Sequence, residues 1–105
     1  MENLIIEFIK RDVQHSEYDW ANITFKNERV GKARCLIDDN CLTIFSINIF
    51  PEYEGHGYGK EFVEYSKSHF NRIIADRVRH SAIGFWERCK FIDNDDGNWI
   101  WEKYN

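Results

Sequence analysis

The stretch Glu54-Gly55-His56-Gly57-Tyr58-Gly59-Lys60 is the strongest chemical signal in the chain. Three glycines at alternate positions follow an apolar run closed by Pro51 and open an amphipathic stretch. Glycines placed there let backbone N–H groups converge on one concavity without Cβ obstruction. A helix start adds partial positive charge, and the combination suits a pyrophosphate. A plain glycine-rich turn between strand and helix uses the same residues, so both readings stand on the spacing alone. Two nucleotide loops do not fit: a GxGxxG fingerprint begun at Gly55 or Gly57 lacks its third glycine, and a Walker A loop needs Gly where Glu54 stands and Ser or Thr where Glu61 stands.

Other reactive side chains are scattered. His15, His56, His69 and His80, with Cys35, Cys41 and Cys89, lack metal-ligand spacing, so no metal is expected. Neither Cys41 nor Cys89 has an adjacent histidine to activate it as a nucleophile. Three cysteines are an odd number without a CxxC pair, and no basic-then-apolar leader precedes them, which predicts a reducing cytoplasm. No apolar run approaches the ~20 residues of a membrane span. The formal net charge of -4 argues against a nucleic-acid coat. From Lys60 to Lys90, however, Lys60, Lys67, Arg72, Arg77, Arg79, Arg88 and Lys90 face only Glu61, Glu64, Asp76 and Glu87, so an anionic ligand belongs with this segment.

The elements that must position these residues follow from periodicity. Leu4 to Ile9 reads as a strand, and the polar stretch Lys10 to Asp19 as a loop. Trp20 to Lys26 and Val30 to Ile37 alternate about Asn27-Glu28-Arg29 as a hairpin. Cys41 to Phe50 is apolar on both alternating faces, which predicts a central strand covered on both sides and closed by Pro51. Gly59 to Phe70 takes a helical period, with Phe62, Val63, Ser66, His69 and Phe70 on one stripe. Arg72 to Ala75 reads as a buried strand parallel to 41–50, because the pair encloses a crossover helix. A second helix follows, with Ser81 as N-cap and Ala82, Phe85, Trp86 and Cys89 at helical spacing. Phe91-Ile92 and Trp99-Ile100-Trp101 close the chain as a hairpin. The 105 residues are expected to form a single α+β domain, 1–105, with a mixed central β-sheet flanked by helices. Aromatic residues at 16% of the chain can fill the core of so small a domain.

Ile47-Asn48-Ile49-Phe50-Pro51-Glu52-Tyr53 followed by Glu54 to Lys60 resembles the acetyl-CoA signature of the GNAT family of N-acetyltransferases, a strand and proline followed by Q/R-x-x-G-x-G/A. Ala82-Ile83-Gly84-Phe85-Trp86-Glu87-Arg88-Cys89-Lys90-Phe91 is similar to the family's second segment, A-x-x-F-Y-E-K-x-G-F, in the expected order. The resemblance covers Cys41 to Trp101, and residues 1–40 match only as generic strands. It implies the acyl-CoA N-acyltransferase-like fold, lacking much of the first helical region, since only Lys10 to Asp19 stands where two helices are usual.

The resemblance also implies acetyl-CoA as co-substrate. The pantetheine arm would pair with the backbone of Ile47, Asn48 and Ile49. Its pyrophosphate would rest on the N–H groups of Gly55, His56, Gly57, Tyr58, Gly59 and Lys60, with Trp86 and Arg88 nearby. Four departures stand out, the first being Arg79 where the family's second segment often begins with Asn. Glu54 replaces Gln or Arg, Lys90 replaces a glycine, and Trp86 replaces the tyrosine that protonates the departing thiolate in many members; an indole is no acid at neutral pH. No carboxylate lies on Cys41 to Phe50, so Asn48, Glu52, His80 and Glu7 are the candidates for handling the amine proton.

The expectation is an N-acetyltransferase acting on a primary amine, with a protein lysine or N-terminus favoured by the short wall over an enclosed small molecule. Neither nucleic acid nor membrane is expected as a partner; a homodimer or a complex with the acceptor is. The alternatives are a non-catalytic acetyl-CoA sensor or regulatory module, and an interaction domain that has lost the cofactor.

Overall fold

Alternation along the first hairpin sorts its side chains between two faces. In the computed structural model, which describes residues 4–104, Ala21, Ile23, Ala33 and Cys35 turn to one face and are buried. Trp20, Asn22, Lys32 and Arg34 turn to the other and are not. The strands are β1 (Ile5–Ile9), β2 (Asp19–Phe25), β3 (Glu28–Asp38), β4 (Cys41–Ile49), β5 (Arg72–Ala75), β6 (Ile92–Asp93) and β7 (Trp99–Glu102). The helices are α1 (Arg11–Gln14), α2 (Tyr58–His69) and α3 (Ile83–Arg88), with 3-10 turns at Pro51–Tyr53 and His80–Ala82. One seven-stranded sheet runs β1-β2-β3-β4-β5-β7-β6. It is mixed, because β4 and β5 pair in parallel around the α2 crossover while the other neighbours are antiparallel.

The helix α2 buries Phe62, Val63 and Ser66. Phe8 of β1 packs against it, 6.2 Å from Phe62, 6.5 Å from Tyr65 and, edge-on, 5.6 Å from Phe70. His69, expected on the buried stripe, is exposed at the helix end. Lys67 Nζ donates to Cys89 O at 2.6 Å and ties α2 to the end of α3. No helix among the described residues is long and apolar enough to cross a membrane.

Three further local expectations are corrected in the connections. The 10–19 connection contains the single helical turn α1, held by Asp19, which already belongs to β2. Asp19 is 1% exposed, and its two carboxylate oxygens accept from Arg11 N–H and Ile37 N–H, each at 2.6 Å. The first hairpin turns at Lys26 and Asn27, both at positive φ (51° and 67°), the two-residue geometry that matches strand twist. Ser81 lies inside the second 3-10 turn, and α3 begins after Ala82 with no side-chain cap.

The strand β4 is also not covered on both sides. Its register with β3 slips between Arg34 and Cys35, which pair with Ser46 and Ile44, so Phe45 is an extra bulged residue. The inward positions therefore change from Leu42 and Ile44 to Ile47 and Ile49. Ser46 and Asn48 face outward and are exposed.

Candidate active site

The parallel pairing of β4 with β5 stops at Ile44 and Ala75, and the last bond across it is Asp76 N–H to Ile44 O at 2.9 Å. Beyond the Phe45 bulge the two strands part. Phe50 N–H bonds Val30 O at 2.9 Å, which fixes the alternation: Asn48 and Ser46 bond towards β3, and the N–H and C=O groups of Ile47 and Ile49 point to the β5 side. Among the described residues no strand pairs with them there, so an extended ligand could add itself as the missing rung.

Directly after β4, Pro51–Tyr53 turns the chain into the glycine loop. Gly55 (φ 86°) and Gly57 (φ 78°) are left-handed, yet a Cβ at either would meet nothing within 4 Å. These glycines serve backbone conformation, not space. Gly57 is the N-cap of α2, no side chain caps it, and the first helical bond is Glu61 N–H to Gly57 O at 3.0 Å. The N–H groups of Tyr58, Gly59 and Lys60 thus open the helix without intrahelical acceptors, as an anion requires. Gly59 differs: its Cβ would lie 3.6 Å from Phe85 Cε1 and 3.9 Å from Ile49 Cγ1, so its bareness widens the space between α2, α3 and β4.

That space is a groove of two lobes. The outer lobe, about 510 Å³, lies between Ile47–Ile49, the 54–60 loop and α3. The inner lobe, about 490 Å³, lies where β4 leaves β5, between Phe45–Ile49 and Ala75–Arg79, with Arg34, Phe85 and Trp86 on its walls. Ile47, Ile49, Gly59 and Phe85 border both lobes. On the outer rim Lys60 and Arg88 outnumber the Glu54 carboxylate, so the charge departure at 54 is offset locally.

The residues singled out from the sequence divide clearly. Ile47, Asn48, Ile49, Gly55, Gly57, Tyr58, Gly59, Lys60 and Arg88 line the outer lobe, and Trp86 the inner one. His56 lines neither lobe and stacks on Tyr58 with ring centres 5.4 Å apart. Of the proton-handling candidates only Asn48 borders the groove. Glu52 and His80 sit exposed on the two 3-10 turns, and Glu7 lies on β1, separated from β4 by β2 and β3.

Sequence reasoning missed Asp76 and Arg34. Asp76 is the one carboxylate bordering the inner lobe, and its Oδ2 accepts from Arg77 Nε at 3.2 Å. The available signal was position, since ligands collect beyond the carboxyl ends of parallel strands and Asp76 follows β5 directly.

Thiol chemistry does not compete at this site. Burial pushes the Cys89 thiol up, against the opposing charge of Lys67, and burial likewise raises Cys41. Cys35 is pushed up to about 12 by burial and then by the Asp19 charge. All three are protonated near neutral pH and are poor nucleophiles. Trp86 is 7% exposed, edge-on to Phe85 at 5.0 Å and tilted on Phe91 at 4.8 Å, which makes it a packing residue at the groove floor. Among the described residues no three His, Cys, Asp or Glu side chains cluster as metal ligands.

Comparison with known proteins adds a lineage to this geometry. A family model described as acetyltransferase (GNAT) family matches residues 2–91. An uncharacterized N-acetyltransferase of Oceanobacillus iheyensis is 37% identical over 51 residues, 49% of this chain and 31% of that protein. One from Bacillus pumilus is 32% identical over 69 residues, 58% of this chain and 43% of its own length. The matches thus span less than half of these relatives. Among solved structures, the Bacillus subtilis N-acetyltransferase YlbP in complex with coenzyme A superposes with a TM-score of 0.67 at 19% identity, covering 97% of each chain. A GNAT family acetyltransferase from Elizabethkingia anophelis with acetyl-CoA bound gives 0.66 at 11% identity, covering 95% of this chain and 98% of that one. The fold is theirs.

Proposed function

The chain belongs to the acetyltransferase (GNAT) family, and from that premise we propose that it transfers an acetyl group from acetyl-CoA to a primary amine, favouring a polypeptide lysine or N-terminus. One observation carries the reading: the uncapped, glycine-led start of α2 and the unpaired Ile47 and Ile49 rungs open onto the same groove. The two solved relatives named above hold coenzyme A or acetyl-CoA, which supports the same ligand here.

Acetyl-CoA supplies an activated thioester: the amine nitrogen bonds to its carbonyl carbon, the C–S bond breaks, the amine loses a proton and the thiolate gains one. The chain's own groups do the rest. The N–H groups of Tyr58, Gly59 and Lys60 bind the phosphates, and charge-assisted bonds of that kind contribute roughly 1.5–3 kcal/mol each. Ile47 and Ile49 N–H groups align the extended arm and fix the carbonyl against the strand. Asp76, bordering the inner lobe, accepts the amine proton. No side-chain acid is needed at Trp86, because a thiol of pKa about 8.5 departs with little help.

The open sheet face and the single turn of α1 support a polypeptide acceptor, because they leave room for a chain to lie across the mouth of the inner lobe. The apolar packing of Trp86 supports a second reading, a non-catalytic acetyl-CoA sensor. Calorimetry with acetyl-CoA, followed by thiol release with peptide and polyamine acceptors, separates them. The expected result is binding, turnover on peptides, and a loss of about tenfold or more in kcat for Asp76→Asn with acetyl-CoA affinity retained. Binding without turnover on any amine would establish the sensor, and absence of binding would overturn both.

A further inference from the structure

Arg34 occupies an unusual position. It lies on β3 opposite Ser46 of β4, just beyond Ile44, the last β4 residue paired with β5, and it walls the inner lobe. Its guanidinium carbon is 4.8 Å from the Tyr18 ring centre and 6.0 Å from that of Phe45, and those two rings meet edge-on at 5.4 Å. The two adjoining rings give the guanidinium an aromatic surface to rest on.

The side chain is nevertheless unfinished. Its Nε is buried and has no hydrogen-bond partner, and no carboxylate pairs with the guanidinium among the described residues. A buried donor left unmade is unfavourable, and a fork of fixed N–H groups matches a planar carboxylate. Arg77 and Arg79 add positive charge to the walls of the lobe, and Asp76 provides its only carboxylate. The lobe therefore favours an anion at Arg34 and an ammonium or amine towards Asp76.

We propose that the inner lobe receives a primary amine whose own molecule carries a carboxylate, with Arg34 as the specificity-determining residue that binds the carboxylate. The inference rests on the acetyl-transfer reading and narrows its acceptor. Two sources share this chemistry: a free amino acid, and a polypeptide with an acidic residue beside the reacting amine. In both, Arg34 orients the acceptor and Asp76 faces its nitrogen.

Matched acceptors test this. Thiol release is measured with acetyl-CoA saturating, using β-alanine against its amide, and tetrapeptides with Ser-Asp against Ser-Asn at a free N-terminus. In parallel, the Arg34 Nε–H resonance of the wild-type chain is followed while each acceptor is added. The acid member of at least one pair should exceed its partner by about tenfold or more in kcat/KM and shift the Nε–H resonance. Arg34→Gln should remove the preference. The arm that responds identifies the source.

Equal rates for acid and amide in both arms, without a resonance shift, would overturn the proposal, as would a preference that survives Arg34→Gln. If no amine turns over, acetyl transfer has failed. The resonance, which needs no turnover, then decides the subsite alone: a shift with the acid members supports it and none overturns it.

Discussion

Cys35 shows how a single buried group ties stability to pH. Its Sγ donates to Asp19 O at 3.5 Å, and burial, reinforced by the Asp19 charge, pushes the thiol up to about 12 from an ordinary 9.0. The unfolded chain releases this proton first. The stabilisation is thus complete below the unfolded value and is lost as pH rises towards the folded one, at about 1.4 kcal/mol per unit. Removing the thiol with Cys35→Ala should cost about 1–2 kcal/mol at neutral pH, and urea unfolding should show that difference shrinking by about 2 kcal/mol near pH 10.5. A difference independent of pH would contradict the assignment. At this scale the sequence was legible where a residue type has one use, as with Gly55 and Gly57. Arg34 was not legible, because its value comes from neighbours across strands that sequence spacing does not reveal, whereas Asp76 had only its place directly after β5 to mark it.

Elements decide what the glycines of the loop are for. Gly57 stands at φ 78° in open space, whereas Gly59 has a helical conformation and faces Phe85 and Ile49 across the groove. The same substitution should therefore have opposite consequences two residues apart. Gly57→Ala should destabilise the fold by about 1–2 kcal/mol through left-handed strain. Gly59→Ala should leave stability unchanged or raise it by up to about 1 kcal/mol, yet weaken acetyl-CoA binding by narrowing the groove. Thermal melts beside calorimetry check both, and a stable Gly57→Ala, or a Gly59→Ala with unimpaired affinity, would count against this division. The periodicity of α2 could be read along the chain, but the Phe45 bulge could not. An alternating apolar strand looks the same with or without one extra residue, and only pairing with β3 shows that the inward face changes from Ile44 to Ile47.

For the molecule as a whole, the sheet carries its helical layer on one side and an open polar and aromatic face on the other. The order of β5, β7 and β6 was beyond sequence reading, since a closing hairpin can insert on either side of its own turn; here β7 pairs with β5 and β6 forms the edge. The parallel β4–β5 pair was readable from the enclosed crossover helix. The break in that pair after four residues, which creates the groove, has no signature in the periodicity of either strand. The central claim is that this break and the start of α2 form one acetyl-CoA site. Backbone amide resonances followed during a titration with acetyl-CoA test it most directly. The account predicts saturable shifts concentrated at Ile47, Ile49 and Gly57 to Lys60; saturating acetyl-CoA that leaves those amides unmoved, or moves only β1 and β2, would contradict it.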